Sequence, residues 1–171
     1  MVDPDDASAD VYARARGHRD RGNALFRKGR VSQALASYTR AIELLTLDDP
    51  TGASADASEA NADTLAAAYG NRAACRLKLE DWRSAIADCD CVIRLGRTSG
   101  VTVKALYRRG KAHEAVGEVD NARRDFELAA ELEPSNPALL EAQDNHRSVL
   151  HRLVVLSNGT PEVRNRQRKG L

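Results

Sequence analysis

The sequence is poor in the residues that mark several protein classes. Only 4% of its 171 residues are aromatic, whereas the strands of β-proteins are rich in aromatic and β-branched side chains. No run approaches the ~20 apolar residues that a membrane helix needs, and the start of the chain, at residues 3–6, is acidic where a signal peptide is basic. We therefore expect an all-α cytoplasmic protein with no membrane partner, the nucleus being the alternative location.

Cysteine and histidine are also scarce. The three cysteines, Cys75, Cys89 and Cys91, are odd in number and form no Cys-x-x-Cys pair, which excludes a disulfide framework and argues against a zinc site. They fit buried, reduced thiols. The four histidines show no metal-ligand spacing, and no Ser or Cys lies in a nucleophile motif. We expect no cofactor, no metal and no enzymatic activity.

Charge of one sign is lacking too, since 26 Lys and Arg face 25 Asp and Glu. The total therefore indicates no partner. Hydrophobic residues make up 42% of the chain, enough for the core of one domain.

What the sequence does contain is internal repetition. Three segments align without gaps: a small residue is followed 12 positions later by Ala, then by a larger apolar or thiol side chain, then by a small or β-branched one. This spacing predicts two antiparallel helices per unit, with small residues where the helices approach each other. The aligned sets are Gly22, Ala34, Tyr38 and Ala41; Ala73, Ala85, Cys89 and Val92; and Gly110, Ala122, Phe126 and Ala129.

A turn follows the first helix of each unit at the same offset, at Gly29, Glu80 and Gly117. Residues 47–63 contain no Lys or Arg and are rich in Ser, Ala and acidic residues. They predict a loop between units, or a loop with an early start of the next helix.

The pattern resembles the tetratricopeptide repeat, a helix-turn-helix unit of ~34 residues. The resemblance implies an all-α right-handed superhelix of three repeats, at about 11–46, 64–97 and 101–134. An apolar stripe at about 136–156 predicts a seventh helix that caps the last repeat. We expect a disordered acidic segment at 1–10 and a flexible basic tail at 157–171, and a monomer.

Sorted by helix, the charges no longer balance. The first helices of the three units, at about 11–28, 64–79 and 101–114, hold 13 Lys and Arg against 2 Asp and Glu; the second helices hold 5 against 8. In a tetratricopeptide superhelix the first helices line the concave groove, so a basic groove and an acidic ligand are implied.

Five positions make the resemblance more specific. They match the carboxylate clamp of tetratricopeptide co-chaperones, which holds the C-terminal Glu-Glu-Val-Asp of the seventy- and ninety-kilodalton heat-shock chaperones. The resemblance therefore implies these chaperone tails as partners. The five residues are Arg19, Asn23, Asn71, Lys104 and Arg108.

Arg19 departs from the family, which usually has Lys there; arginine keeps the charge but differs in length and shape. Phe26 and Ala74 lie three residues after the two asparagines and could form an apolar pocket for the Val of the peptide, although Phe26 also suits packing between repeats. Two alternatives stay open for the groove: a different acidic protein segment and, with less support because aromatic residues are few, a nucleic acid.

Overall fold

The computed structural model describes residues 4–47, 58–96 and 99–157. Within them the chain forms seven α-helices and no strand. This confirms the all-α prediction and the predicted number of helices. The helices are α1 (Pro4–Arg27), α2 (Val31–Leu47), α3 (Ser58–Lys78), α4 (Trp82–Arg94), α5 (Ser99–Ala115), α6 (Val119–Leu132) and α7 (Pro137–Ser157).

Six of the helices form three hairpins, α1 with α2, α3 with α4 and α5 with α6. The turn between them places one residue in the left-handed region, with φ of 73° at Gly29 and 80° at Gly117. In the second hairpin the same position is Glu80, with φ of 60°. Glycine adopts this conformation without a steric cost, whereas a residue with a Cβ does not, so the second turn is strained.

The core of each hairpin depends on one complementary pair of residues, sixteen positions apart. A Cβ added to Gly22 would lie 2.5 Å from the Tyr38 ring, and one added to Gly110 would lie 2.6 Å from the Phe126 ring. The second hairpin has Ala73 and Cys89 at these positions, both fully buried. Ala73 is larger than the glycine of the other two hairpins. It fits in the close-packed interior because its partner Cys89 is smaller than an aromatic ring.

Successive hairpins stack mainly through the second helix of one and the first helix of the next, and the first helices also touch. Helix α1 contacts α3, and α3 contacts α5, while α2 packs on α3 and α4 packs on α5. The odd-numbered helices α1, α3 and α5 therefore lie side by side as one wall, and α7 packs against α6 at the end of the stack.

The helix bounds differ from the predicted ones at several places. Helix α1 begins at Pro4, inside the segment expected to be disordered, because Pro at a first helical position followed by Asp5 and Asp6 is a favourable helix start. Helix α3 begins at Ser58, which supports the alternative of a loop with an early helix start. The rest of the predicted loop, 48–57, and the tail from 158 onward lie outside the described residues.

The capping helix spans Pro137–Ser157. Of its predicted apolar stripe, Leu139 and Ala142 are buried, whereas Ala138 is exposed. The stripe positions from Val149 onward lie outside the residues whose side chains are described. None of the described helices combines the length and the apolar character that a membrane span requires.

Candidate functional site

The five clamp positions lie on the wall formed by α1, α3 and α5. Arg19 and Asn23 are one turn apart on α1, Asn71 lies in α3, and Lys104 and Arg108 are one turn apart on α5. Residues four apart share a face of a helix. The structure therefore places all five on three adjacent helices.

The two asparagines are in direct contact. The Asn71 Nδ2 donates a hydrogen bond of 2.9 Å to the Asn23 Oδ1, and the Tyr38 hydroxyl donates one of 2.8 Å to the same oxygen. Two donors on the oxygen fix the orientation of the Asn23 amide, which leaves its NH₂ group available as a donor. Tyr38 itself is buried, and burial raises the pKa of Tyr38 to about 12, so it remains a neutral donor at physiological pH.

Arg108 is the most unusual cation of the site. Its Nη1 donates a hydrogen bond of 2.9 Å to the backbone oxygen of Gly70, the residue before Asn71. Burial lowers the pKa of Arg108, and among the described residues no carboxylate pairs with it. Arg108 is half-buried, and a cation partly withdrawn from water with no anion beside it is unfavourable, so this position favours the binding of an anionic group.

The other two cations are more accessible. Lys104 is exposed, one turn from Arg108, and no described carboxylate pairs with it. Arg19 is partly buried and makes a hydrogen bond of 3.0 Å to the neighbouring Asp20, an exposed contact of the kind that contributes little. Both Arg19 and Arg108 lie close enough to Tyr38 to lower its pKa electrostatically, against the effect of burial. Two of the three clamp cations therefore lie near Tyr38, whose hydroxyl is hydrogen-bonded to Asn23.

Neighbouring arginines on the same helices have a different role. Arg72 Nη2 and Nε donate to the two carboxylate oxygens of Asp88 at 2.7 and 3.0 Å, and Arg109 does the same to Asp125 at 2.6 and 2.9 Å. Both aspartates are buried. These arginines connect the two helices of a hairpin and are not free to bind a ligand.

Of the two residues predicted to form an apolar pocket, Phe26 has contacts that the structure describes. Phe26 packs against the cluster of Ala34, Tyr38 and Cys75, and the Lys78 Nζ lies 4.9 Å from the centre of its ring. Ala74 is one turn before Lys78 on α3, so the same face of α3 approaches Phe26. The role of Phe26 and Ala74 in reading a peptide stays a prediction.

The other chemically active residues occur in packing roles. His113 Nδ1 lies 2.6 Å from Glu118 Oε2 at the α5–α6 turn, and His146 Nδ1 lies 2.9 Å from Glu114 Oε1 between α7 and α5. Burial raises the pKa of the Cys75 thiol to about 11 and that of Cys89 to about 12. No group of three His, Cys, Asp or Glu within the described residues could hold a metal ion.

Tyr38 and the Gly70 backbone oxygen are site residues that sequence reasoning did not identify. In the repeat pattern Tyr38 is only the bulky residue of the first unit. One signal distinguishes it, since Tyr carries a hydroxyl where the third repeat has Phe126, and a buried tyrosine hydroxyl normally has a hydrogen-bond partner.

Comparison with known proteins identifies the repeat. Residues 103–136 match the family model described as tetratricopeptide repeat. The bovine peptidyl-prolyl cis-trans isomerase FKBP4 is 36% identical over 120 residues, which are 70% of this chain and 25% of that protein. The chain spans between 12% and 28% of the length of six curated relatives that it matches.

Solved structures show the same fold. The second TPR domain of human RPAP3, in complex with the HSP70 peptide SGPTIEEVD, has a TM-score of 0.63 and 30% identity, covering 80% of this chain and 98% of that one. The myosin chaperone UNC-45 of C. elegans, in complex with an Hsp90 peptide, has a TM-score of 0.66 and 30% identity, covering 80% of this chain and 14% of that one. Both relatives bind chaperone peptides.

Proposed function

Because this chain belongs to the tetratricopeptide-repeat family and has a domain of the co-chaperone type, we propose that it binds the free C-terminus of a heat-shock chaperone in the groove of α1, α3 and α5. The ligand is the Glu-Glu-Val-Asp tail of the ninety-kilodalton class, the seventy-kilodalton class or both. The protein acts as an adaptor that docks a chaperone, and the binding step involves no covalent chemistry.

One observation supports this proposal most strongly. Arg108 is half-buried, donates to the backbone oxygen of Gly70 next to Asn71, and has no described carboxylate partner, whereas its neighbour Arg109 is held by two aspartates. The site therefore contains charge and oriented amides that the fold itself does not use. A C-terminal Asp supplies the matching group, because its side chain and its α-carboxylate present two anions close together.

The expected affinity follows from these donors. Charge-assisted hydrogen bonds contribute roughly 1.5–3 kcal/mol each. Four or five of them are partly offset by several kcal/mol for ordering an extended peptide. A net free energy near −8 kcal/mol corresponds to about 1 μM.

Calorimetry with the peptide Met-Glu-Glu-Val-Asp and its C-terminally amidated form tests the proposal. We expect micromolar binding of the free acid and at least about tenfold weaker binding of the amide, which lacks one carboxylate. Equal binding of the two forms would mean that the groove binds acidic side chains of another protein segment and not a free C-terminus. If neither form bound, the proposal that the groove binds these tails would be wrong.

A pair of variants links the binding to the residues. Lys104→Ala with Arg108→Ala should abolish binding without changing helicity by circular dichroism. Arg123→Ala with Arg124→Ala removes the same charge from α6 and should leave the affinity unchanged. If the α6 variant weakened binding equally, general electrostatic attraction would replace the clamp as the explanation.

A further inference from the structure

The first hairpin lacks an ion pair that the other two share. In the second hairpin Arg72 grips Asp88 sixteen residues later, and in the third Arg109 grips Asp125 at the same separation. The equivalent residues of the first hairpin are Arg21 and Ser37. A hydroxyl therefore stands where the other two hairpins have a buried carboxylate.

The same arginine position also reaches the preceding hairpin. Arg72 Nη1 lies 3.3 Å from Thr39 Oγ1 on α2, and Arg109 Nη1 lies 2.6 Å from Asp90 Oδ1 on α4. Helix α1 is the first described helix, so Arg21 has no such helix beside it within the described residues. Among those residues Arg21 has neither its internal nor its external acceptor, and it is exposed.

A cavity of about 440 Å³ occupies this place. It lies between α1 and α2, and its lining combines three basic residues with polar and apolar ones and includes no acidic residue. Of its basic residues, Arg40 pairs with Glu43 at the surface at 3.0 Å, whereas no described carboxylate pairs with His18 or Arg21. The remaining lining residues are Leu25, Gln33, Ala36 and Ser37.

This cavity is separate from the clamp. His18, Arg21 and Leu25 follow one face of α1, while Arg19, Asn23 and Phe26 follow another. At 3.6 residues per turn the centres of these two faces are about 130° apart around the helix axis. A ligand in the cavity therefore leaves the groove of α1, α3 and α5 free.

We propose that the cavity formed by His18, Arg21 and Ser37 is a second binding site, which takes a side-chain carboxylate from an acidic segment of a partner protein. The carboxylate occupies the position that Asp88 and Asp125 fill in the other hairpins. A carboxylate fits better than a phosphate because the equivalent arginines hold carboxylates in a two-point grip. The proposal does not depend on chaperone binding.

Nuclear magnetic resonance with a capped peptide tests the site. The probe is a Glu-rich decapeptide, N-acetylated and C-terminally amidated, so that it offers side-chain carboxylates only; its Gln counterpart is the neutral control. We expect saturable shifts of the Arg21 Nε–H and His18 ring signals with the Glu peptide and none with the Gln peptide. Shifts confined to Lys104 and Arg108, or stronger binding of inorganic phosphate, would overturn the proposal.

Two substitutions at Ser37 provide a matched pair. Ser37→Asp supplies the missing carboxylate from within, so the peptide should bind at least tenfold more weakly, whereas Ser37→Asn should bind within twofold of the parent. Equal binding of the peptide to both variants would contradict the assignment. Arg21→Gln, at an exposed position, gives the same loss if Ser37→Asp fails to fold, and its failure to weaken binding would also refute the site.

The groove provides the last control. Lys104→Ala with Arg108→Ala should leave the capped peptide bound in the cavity and remove only the free C-terminal peptide. Loss of both ligands in this variant would show that a single site binds them. If the double variant keeps the capped peptide and loses the free C-terminal peptide, the two ligands bind at different sites, and each site can be tested without the other.

Discussion

Two adjacent arginines on α5 should respond to substitution in opposite ways. Arg109 bridges Asp125 and Asp90, and its Nη1 lies 2.6 Å from the Asp90 Oδ1. The hydrogen bonds with Asp125, and to a smaller extent that with Asp90, raise the pKa of Arg109. Asp125 is 3% exposed. Arg109→Ala leaves that carboxylate buried without its ion-pair partner, which costs about 3–5 kcal/mol.

Arg108→Ala should have a small effect on stability. It removes one hydrogen bond to the Gly70 oxygen and some packing of the side-chain stem, but it also removes a half-buried charge with no described carboxylate partner, and the two effects oppose each other. We expect a net change within about 1 kcal/mol. The same substitution should abolish binding of a free C-terminal Asp.

Thermal unfolding followed by circular dichroism, together with calorimetry, measures both effects. For a chain of this size 1 kcal/mol corresponds to about 2–4 °C, so Arg109→Ala should melt about 6–20 °C lower and Arg108→Ala within about 4 °C of the parent. The Arg109 variant should still bind the peptide at temperatures where it is folded. An Arg108 variant as unstable as the Arg109 variant would refute the distinction between a binding and a structural arginine.

Three further predictions concern the turn, the clamp and the cap. Glu80→Gly should stabilise the protein by about 1 kcal/mol, because it relieves a left-handed backbone at a residue with a Cβ, and a lower urea midpoint would contradict this. Tyr38→Phe removes one of the two hydrogen bonds that orient the Asn23 amide, so peptide affinity should fall about 3–10-fold, corresponding to roughly 0.7–1.4 kcal/mol. An unchanged affinity by calorimetry would remove Tyr38 from the site. Burial raises the pKa of Glu114, but hydrogen bonds with Lys111 and His146 outweigh this effect and hold the pKa below 4.5. The stability that these bonds contribute is present above pH 4.5 and is lost as the pH falls through the lowered pKa. The melting temperature of Glu114→Gln should therefore fall less steeply than that of the parent during an acid titration.

The repeat pattern predicted the hairpins because their packing imposes a strict spacing. Gly22 faces Tyr38 and Gly110 faces Phe126, and a side chain on either glycine would collide with the ring. The second repeat has Ala73 in place of glycine. Its partner Cys89 explains the exchange, since a small side chain opposite leaves room for the extra methyl group. The irregular repeat therefore obeys the same packing rule.

Other features depended on contacts that no local pattern reveals. The hydrogen bond between Asn23 and Asn71 joins residues 48 positions apart, and the sequence predicted only that both lie on the same wall. The hydroxyl of Tyr38 reaches Asn23 because the two helices of the first hairpin pack closely. Arg108 and Arg109 are indistinguishable by residue type, and their roles differ because successive residues of a helix point about 100° apart.

The contacts between helices also change the estimate of the charge on the wall formed by α1, α3 and α5. Counting by helix gives a strongly basic wall, but Arg72 and Arg76 both bind Asp88, and Arg109 binds Asp125 and Asp90. These arginines are neutralised by the second helices of the hairpins and attract no ligand at long range. On α5 the cations left for the groove are Lys104 and Arg108, since Lys111 pairs with Glu114.

A few cations beside two oriented amides suit one compact anion better than a strand of evenly spaced phosphates. Binding of a nucleic acid depends on many phosphate contacts and weakens steeply with salt. A clamp of two or three cations on one C-terminus should lose affinity only moderately between low and physiological ionic strength, because its key group, Arg108, is half-buried and partly buried charges are screened less by salt. A steep salt dependence of peptide binding would therefore argue that the exposed charges of α1, and not Arg108, hold the ligand.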